Sequence, residues 1–126
     1  MNKITPKNLY ELLQMMQLRL GMYISPPTLP SLWNFVLGYK SAFWILGKKD
    51  DSLDGFDDFV AKKLGFYEST AGFVNMILAH TQGFESKNIL WDDFLKSEIS
   101  SETHQKAITL FFSLLEAFYH EKKKKI

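Results

Sequence analysis

Few side chains in this 126-residue chain are placed to do chemistry: the carboxylate pairs Asp57/Asp58 and Asp92/Asp93, the Glu116/His120 pair, and the isolated His80 and His104. Paired carboxylates suit general acid–base work in a hydrolase. Neighbours on a helix point about 100° apart, however, so neither pair converges within its own segment, and a hydrolase would need carboxylates gathered by tertiary packing. Glu116 and His120 stand four residues apart, on one helical face, and can supply two metal ligands. A zinc site needs three or four, and no further ligand is near in sequence, so a surface pair is expected. No serine sits in a nucleophile elbow, and the seven glycines are scattered rather than gathered into a phosphate-cradling loop. With no cysteine there is no thiolate chemistry and no disulfide framework. The expectation is a protein that is not an enzyme, with no catalytic residue, cofactor or metal.

Charge is the more telling property. The net charge of +1 conceals a division: residues 1–49 carry +5, residues 50–102 carry eleven acids against four lysines for −7, and residues 103–126 carry +3. Asp50, Asp51, Asp54, Asp57 and Asp58 crowd into nine residues, and Glu85, Asp92, Asp93, Glu98 and Glu102 follow. One reading makes these a solvated loop and helix cap. The other makes them a docking patch that steers a cationic protein and holds it by charge-assisted hydrogen bonds, with Phe84 or Trp91 as aromatic anchors. The partner-binding candidates are therefore Asp50, Asp51, Asp54, Asp57, Asp58, Asp92, Asp93 and Trp91. Such an acidic middle repels a phosphate backbone, so no nucleic acid is expected as partner. Lys122 to Lys125 read as a solubilising end.

The elements that carry these residues all read as helices. Hydrophobic residues make up 46% of the chain and aromatics 15%, enough for one folded domain over residues 1–120, with a lysine-rich tail over 121–126 expected to fray. Thr5 before Pro6 signals a first helix to about Leu18, with Leu9, Leu12, Leu13 and Met16 on one face. Between Arg19 and Tyr39 the chain must turn and restart: Gly21 offers backbone freedom, Pro26 and Pro27 an extended path, and Thr28 with Pro30 a helix start. The second helix is apolar on several sides and so reads as central, ending near Gly47. Asp54 is expected to cap a third helix that stops at Gly65, and Ser69 or Thr70 a fourth that ends before Gly83. Ile89, Leu90, Trp91, Phe94 and Leu95 suggest a short fifth, and the last opens at Ser100 or Ser101. No segment alternates apolar and polar residues over a strand length, so the fold class is all-α, a single-domain bundle of about five to six helices. There is no signal-peptide run at the N-terminus and no apolar stretch of about 20 residues, so the expected location is cytoplasmic, with no membrane contact.

Arg19, Gly21, Met22, Tyr23 and Ile24, then Leu32, Phe35, Gly38 and Tyr39, then Phe59-Val60 and the ending Phe111-Phe112-Ser-Leu-Leu-Glu-Ala-Phe118 together resemble a family of small helical bacterial proteins. These are the immunity proteins of contact-dependent growth inhibition and related polymorphic-toxin systems. The resemblance spans most of residues 19–118, and it departs where many relatives carry a proline after the arginine and a glycine after the Tyr-Ile pair, positions held here by Leu20 and Ser25. It implies an antitoxin that binds a delivered toxin, commonly a nuclease, as a monomer in the complex and covers its active site. Carboxylates would then stand where the phosphates of a nucleic acid would lie. The alternative is a non-enzymatic regulatory or scaffold module that binds an endogenous protein or forms a homodimer through exposed aromatics.

Overall fold

Helix-start and helix-stop chemistry accounts for most of the architecture. The computed structural model describes residues 5–124, and among them every regular element is helical: α1 (Leu9–Gln17), α2 (Leu29–Ile45), α3 (Phe56–Leu64), α4 (Gly72–Thr81), α5 (Trp91–Lys96) and α6 (Ser101–Lys124), with a 3-10 turn at Leu20–Met22. The all-α class and the helix number agree with the periodicity. The chain divides between Asp54 and Gly55 into two compact units.

In the first unit, α1 begins later than Thr5 and Pro6 suggest. Asn8 is extended and its Oδ1 accepts the Glu11 N–H at 2.9 Å, a stronger local cap than the Thr-Pro pair upstream. The buried face is Leu9, Tyr10, Leu13 and Met16, with Leu12 half-buried. Gly21 lies inside the 3-10 turn and is not among the glycines with positive φ, so the backbone freedom expected of it is not used. Thr28 caps α2 as expected, its Oγ1 accepting the Ser31 N–H at 3.3 Å, with Pro30 in the first turn where a missing N–H costs nothing. The helix closes on Gly47 (φ 70°): the Gly47 N–H donates to the Trp44 carbonyl at 3.0 Å and the Lys48 N–H to the Phe43 carbonyl at 2.8 Å. This doubly bonded left-handed ending satisfies two otherwise orphaned carbonyls. α2 is not central. Burial is confined to Leu29, Leu32 and Val36 in its first half, because an all-round apolar helix is buried only where neighbours reach it.

In the second unit, α3 packs on α4 and both pack on α6. Phe56, 1% exposed, is the hub: its ring lies 5.0 Å from Phe73, 5.8 Å from Phe111 and 5.3 Å from Phe118, all edge-on. Such tilted pairs set the negative ring face against positive ring edges. Asp54 does not cap α3; Gly55 (φ 84°) holds that position without a side-chain bond. Nor do Ser69 or Thr70 cap α4, whose N-cap is Ala71. α4 ends at Gly83 (φ 91°), with the Phe84 N–H bonded to the Ala79 carbonyl at 3.0 Å, the ending seen at Gly47. Ser100 Oγ caps α6 by accepting the Thr103 N–H at 3.1 Å. The lysine-rich end expected to fray is helical as far as Lys124, with Lys122 Nζ 4.8 Å from the Phe118 ring centre and Lys123 Nζ 5.3 Å from that of Tyr119. Lys125 and Ile126 lie outside the described residues.

Candidate protein-binding surface

The first turn of a helix carries amides with no internal acceptor, and α1 draws three acceptors from two places. Asn8 takes the Glu11 amide. The Leu9 N–H donates to Asp50 Oδ2 at 2.8 Å and the Tyr10 N–H to Ser52 Oγ at 3.3 Å, so the loop after α2 completes the start of α1. Asp50 also accepts the Tyr39 hydroxyl at 2.7 Å and, through Oδ1, the Ser52 N–H at 2.9 Å. Burial alone would push the Asp50 carboxyl up, but the hydrogen bonds from Ser52, Tyr39 and Leu9 outweigh it and hold the group below its ordinary value. Burial, and then the bond to and charge of Asp50, push the Tyr39 phenol well above its ordinary range, so Tyr39 keeps its proton and always donates. Asp50 thus serves as an internal hydrogen-bond acceptor.

Asp51 and Asp54 are exposed, and with Asp50 they line a groove of about 200 Å³. Lys40, Lys48 and Lys49 line it too, as do Phe43 and Trp44. Three lysines face three aspartates there, so the acidity expected over 50–58 is offset locally by the end of α2 and the residues after it. Asp57 and Asp58, in the first turn of α3, are spent on the chain itself: Asp57 Oδ1 accepts the Phe73 N–H at 2.8 Å, providing the cap that α4 lacks, and Asp58 Oδ1 accepts the Ser69 hydroxyl in a short hydrogen bond.

Asp57 and Asp58 are nonetheless exposed, as are Asp92 and Asp93 in the first turn of α5, where carboxylates complement the helix dipole. Trp91 between Leu90 and Asp92 is half-buried and stacks on Phe66 at 6.0 Å, while Phe94 meets Trp91 edge-on at 5.5 Å and Phe84 at 5.8 Å. These rings fasten α5 from beneath, so Trp91 and Phe84 act as packing residues. On the outer side stand Leu90 and Leu95, 66% and 69% exposed, with the two aspartates. α5 therefore offers carboxylates and apolar side chains together.

The sequence reading makes the second helix central as far as Gly47, whereas Trp44, Ile45 and Leu46 at its end are 81%, 77% and 68% exposed. A signal existed: three consecutive apolar residues in a last turn cannot all face one side. Glu116 and His120 form the surface pair expected of them, at 3.7 Å with both side chains mostly exposed. Among the described residues no group of three or more His, Asp or Glu is disposed to hold a metal ion, and no helix is long and apolar enough to cross a membrane.

No protein-family model matches the chain, and neither do the curated proteins nor the solved structures return a match.

Proposed function

We propose that this chain is an immunity protein that binds a cognate toxin, a nuclease with a basic active-site surface, and neutralises it by covering that site. The observation that carries the reading is the outer side of α5, where exposed Asp92 and Asp93 stand between exposed Leu90 and Leu95 on a helix anchored by Trp91 and Phe94. A nuclease must hold a polyanion, so cationic groups border its active site. Carboxylates presented there occupy the positions of phosphates, raise the association rate by long-range attraction and exclude substrate once bound. The leucines supply the water-free contact that charge alone does not, since binding energy concentrates in desolvated anchors with polar groups around them. The aromatic stack beneath pre-orders α5, which lowers the entropy lost on docking. The resemblance over residues 19–118 supports the same class, and action in the cytoplasm, as one copy per toxin, belongs to it.

The test is co-expression with the C-terminal domain encoded by the gene directly upstream. The unaltered chain is expected to preserve growth, and the double variant Asp92→Lys/Asp93→Lys to lose protection while keeping its helical circular dichroism. Full protection by that folded variant would remove α5 from the mechanism; growth arrest with the unaltered chain present would refute the immunity reading and leave a regulatory or scaffold module.

A further inference from the structure

We propose that the C-terminal end of α2 is a self-association surface through which two copies of this chain pair about a two-fold axis. Trp44, Ile45 and Leu46 are three successive large apolar residues with more than two thirds of their surface in water, a concentration that marks an interaction site. They are held rigidly. The doubly bonded ending at Gly47 fixes the last turn of α2, and Asp50, tied to Leu9, Tyr39 and Ser52, fixes the loop that follows. A pre-ordered apolar projection loses little entropy when covered.

The charges around it select the occupant. Trp44 shares its groove with Lys40, Lys48 and Lys49 on the one hand and with Asp51 and Asp54 on the other. A cationic partner would set its charges against the lysines, and an anionic one against the aspartates. A second copy related by a two-fold axis meets both demands, because in such an interface each patch faces its own counterpart and every lysine-to-aspartate pairing occurs twice. Trp44, which lines the groove with these charges, then lies near the axis with the ion pairs around it, the usual layout of a hydrophobic centre and polar rim. This surface lies in the first unit and α5 in the second, so the proposal does not rest on the toxin-binding reading.

Sedimentation velocity of the full chain, across about a hundredfold range of micromolar concentrations, reads the result directly. The unaltered chain is expected to shift from monomer to dimer, and Trp44→Asp, at an exposed position and with unchanged circular dichroism, to remain monomeric throughout. Lys48→Glu/Lys49→Glu and Asp51→Lys/Asp54→Lys are each expected to weaken the homodimer at least tenfold, and an equimolar mixture of the two to form a heterodimer. A chain monomeric at every concentration would overturn the proposal, as would a Trp44→Asp dimer or a mixture that fails to pair. Growth protection by Asp92 and Asp93 variants is a separate readout, so either reading can fail alone.

Discussion

Replacing Asp50 by Asn tests whether the loop after α2 holds the first unit together. Asn keeps the size of the side chain but replaces one acceptor oxygen by an NH2 group. Oδ2 accepts from both the Leu9 N–H and the Tyr39 hydroxyl, and Oδ1 from the Ser52 N–H, so either orientation of the amide sets a donor against a donor. Hydrogen bonds to a charged group contribute about 1.5–3 kcal/mol each, and less where water reaches, as it does at half-buried Asp50. Losing the charge, one good acceptor and the favourable position at the start of α1 is expected to cost about 2 kcal/mol in total. With urea unfolding followed by tryptophan fluorescence, this lowers the midpoint by about 1 M. The pH dependence follows from the depressed carboxyl. Because the folded value lies below the unfolded one, the stabilisation is fully present above the unfolded value of about 4 and is lost as pH falls through the folded value. The gap between the unaltered chain and Asp50→Asn is therefore full at neutral pH and narrows below about pH 4. Equal midpoints at pH 7, or a gap that stays constant into acid, would refute the reasoning.

Asp57→Ala removes the acceptor for the Phe73 amide and is expected to cost about 1 kcal/mol, the usual worth of a helix cap; an unchanged melting temperature would contradict that role. Gly83→Ala forces a side chain into φ 91° and is expected to destabilise by about 1 kcal/mol, whereas Gly21→Ala, with no atom within 4 Å of the new Cβ and no positive φ, is expected to leave stability unchanged or slightly raised. Thermal unfolding of the two side by side checks the contrast. Phe56→Ala, at the centre of the aromatic cluster, is expected to cost about 3–5 kcal/mol by calorimetry, and a loss below about 1 kcal/mol would displace it as the hub.

What could be read from the residues was what local chemistry decides. Thr28 and Ser100 cap helices, Gly47 and Gly83 end them, and the apolar spacing of α6 predicts its buried Ala107, Phe111, Leu114, Leu115 and Phe118. The misreadings share one cause: the deciding partner is distant in sequence. Asp57 caps α4 from 16 residues away and Asp50 serves α1 from 41 residues away, so neither role shows in a local window. Hydrophobicity likewise ranks residues by what burial would gain, not by whether a neighbour arrives, which is why Trp44, Leu90 and Leu95 stand in water. The acidic run over 50–58 was visible, but that most of it serves internal amides and hydroxyls, beside three lysines, is a property of the fold.

The most direct measurement of the proposed function is amide hydrogen exchange of the chain alone and mixed with the C-terminal domain of the protein encoded directly upstream. α5 is only six residues long and Leu90, Asp92, Asp93 and Leu95 are exposed on it or beside it, so covering it on binding is read directly at its amides. The expected result is protection on binding centred on residues 90–96 and reduced when ionic strength is raised. Protection confined to other segments, with residues 90–96 exchanging as in the free chain, would contradict the assignment of the acidic, leucine-flanked α5 as the surface that neutralises the toxin.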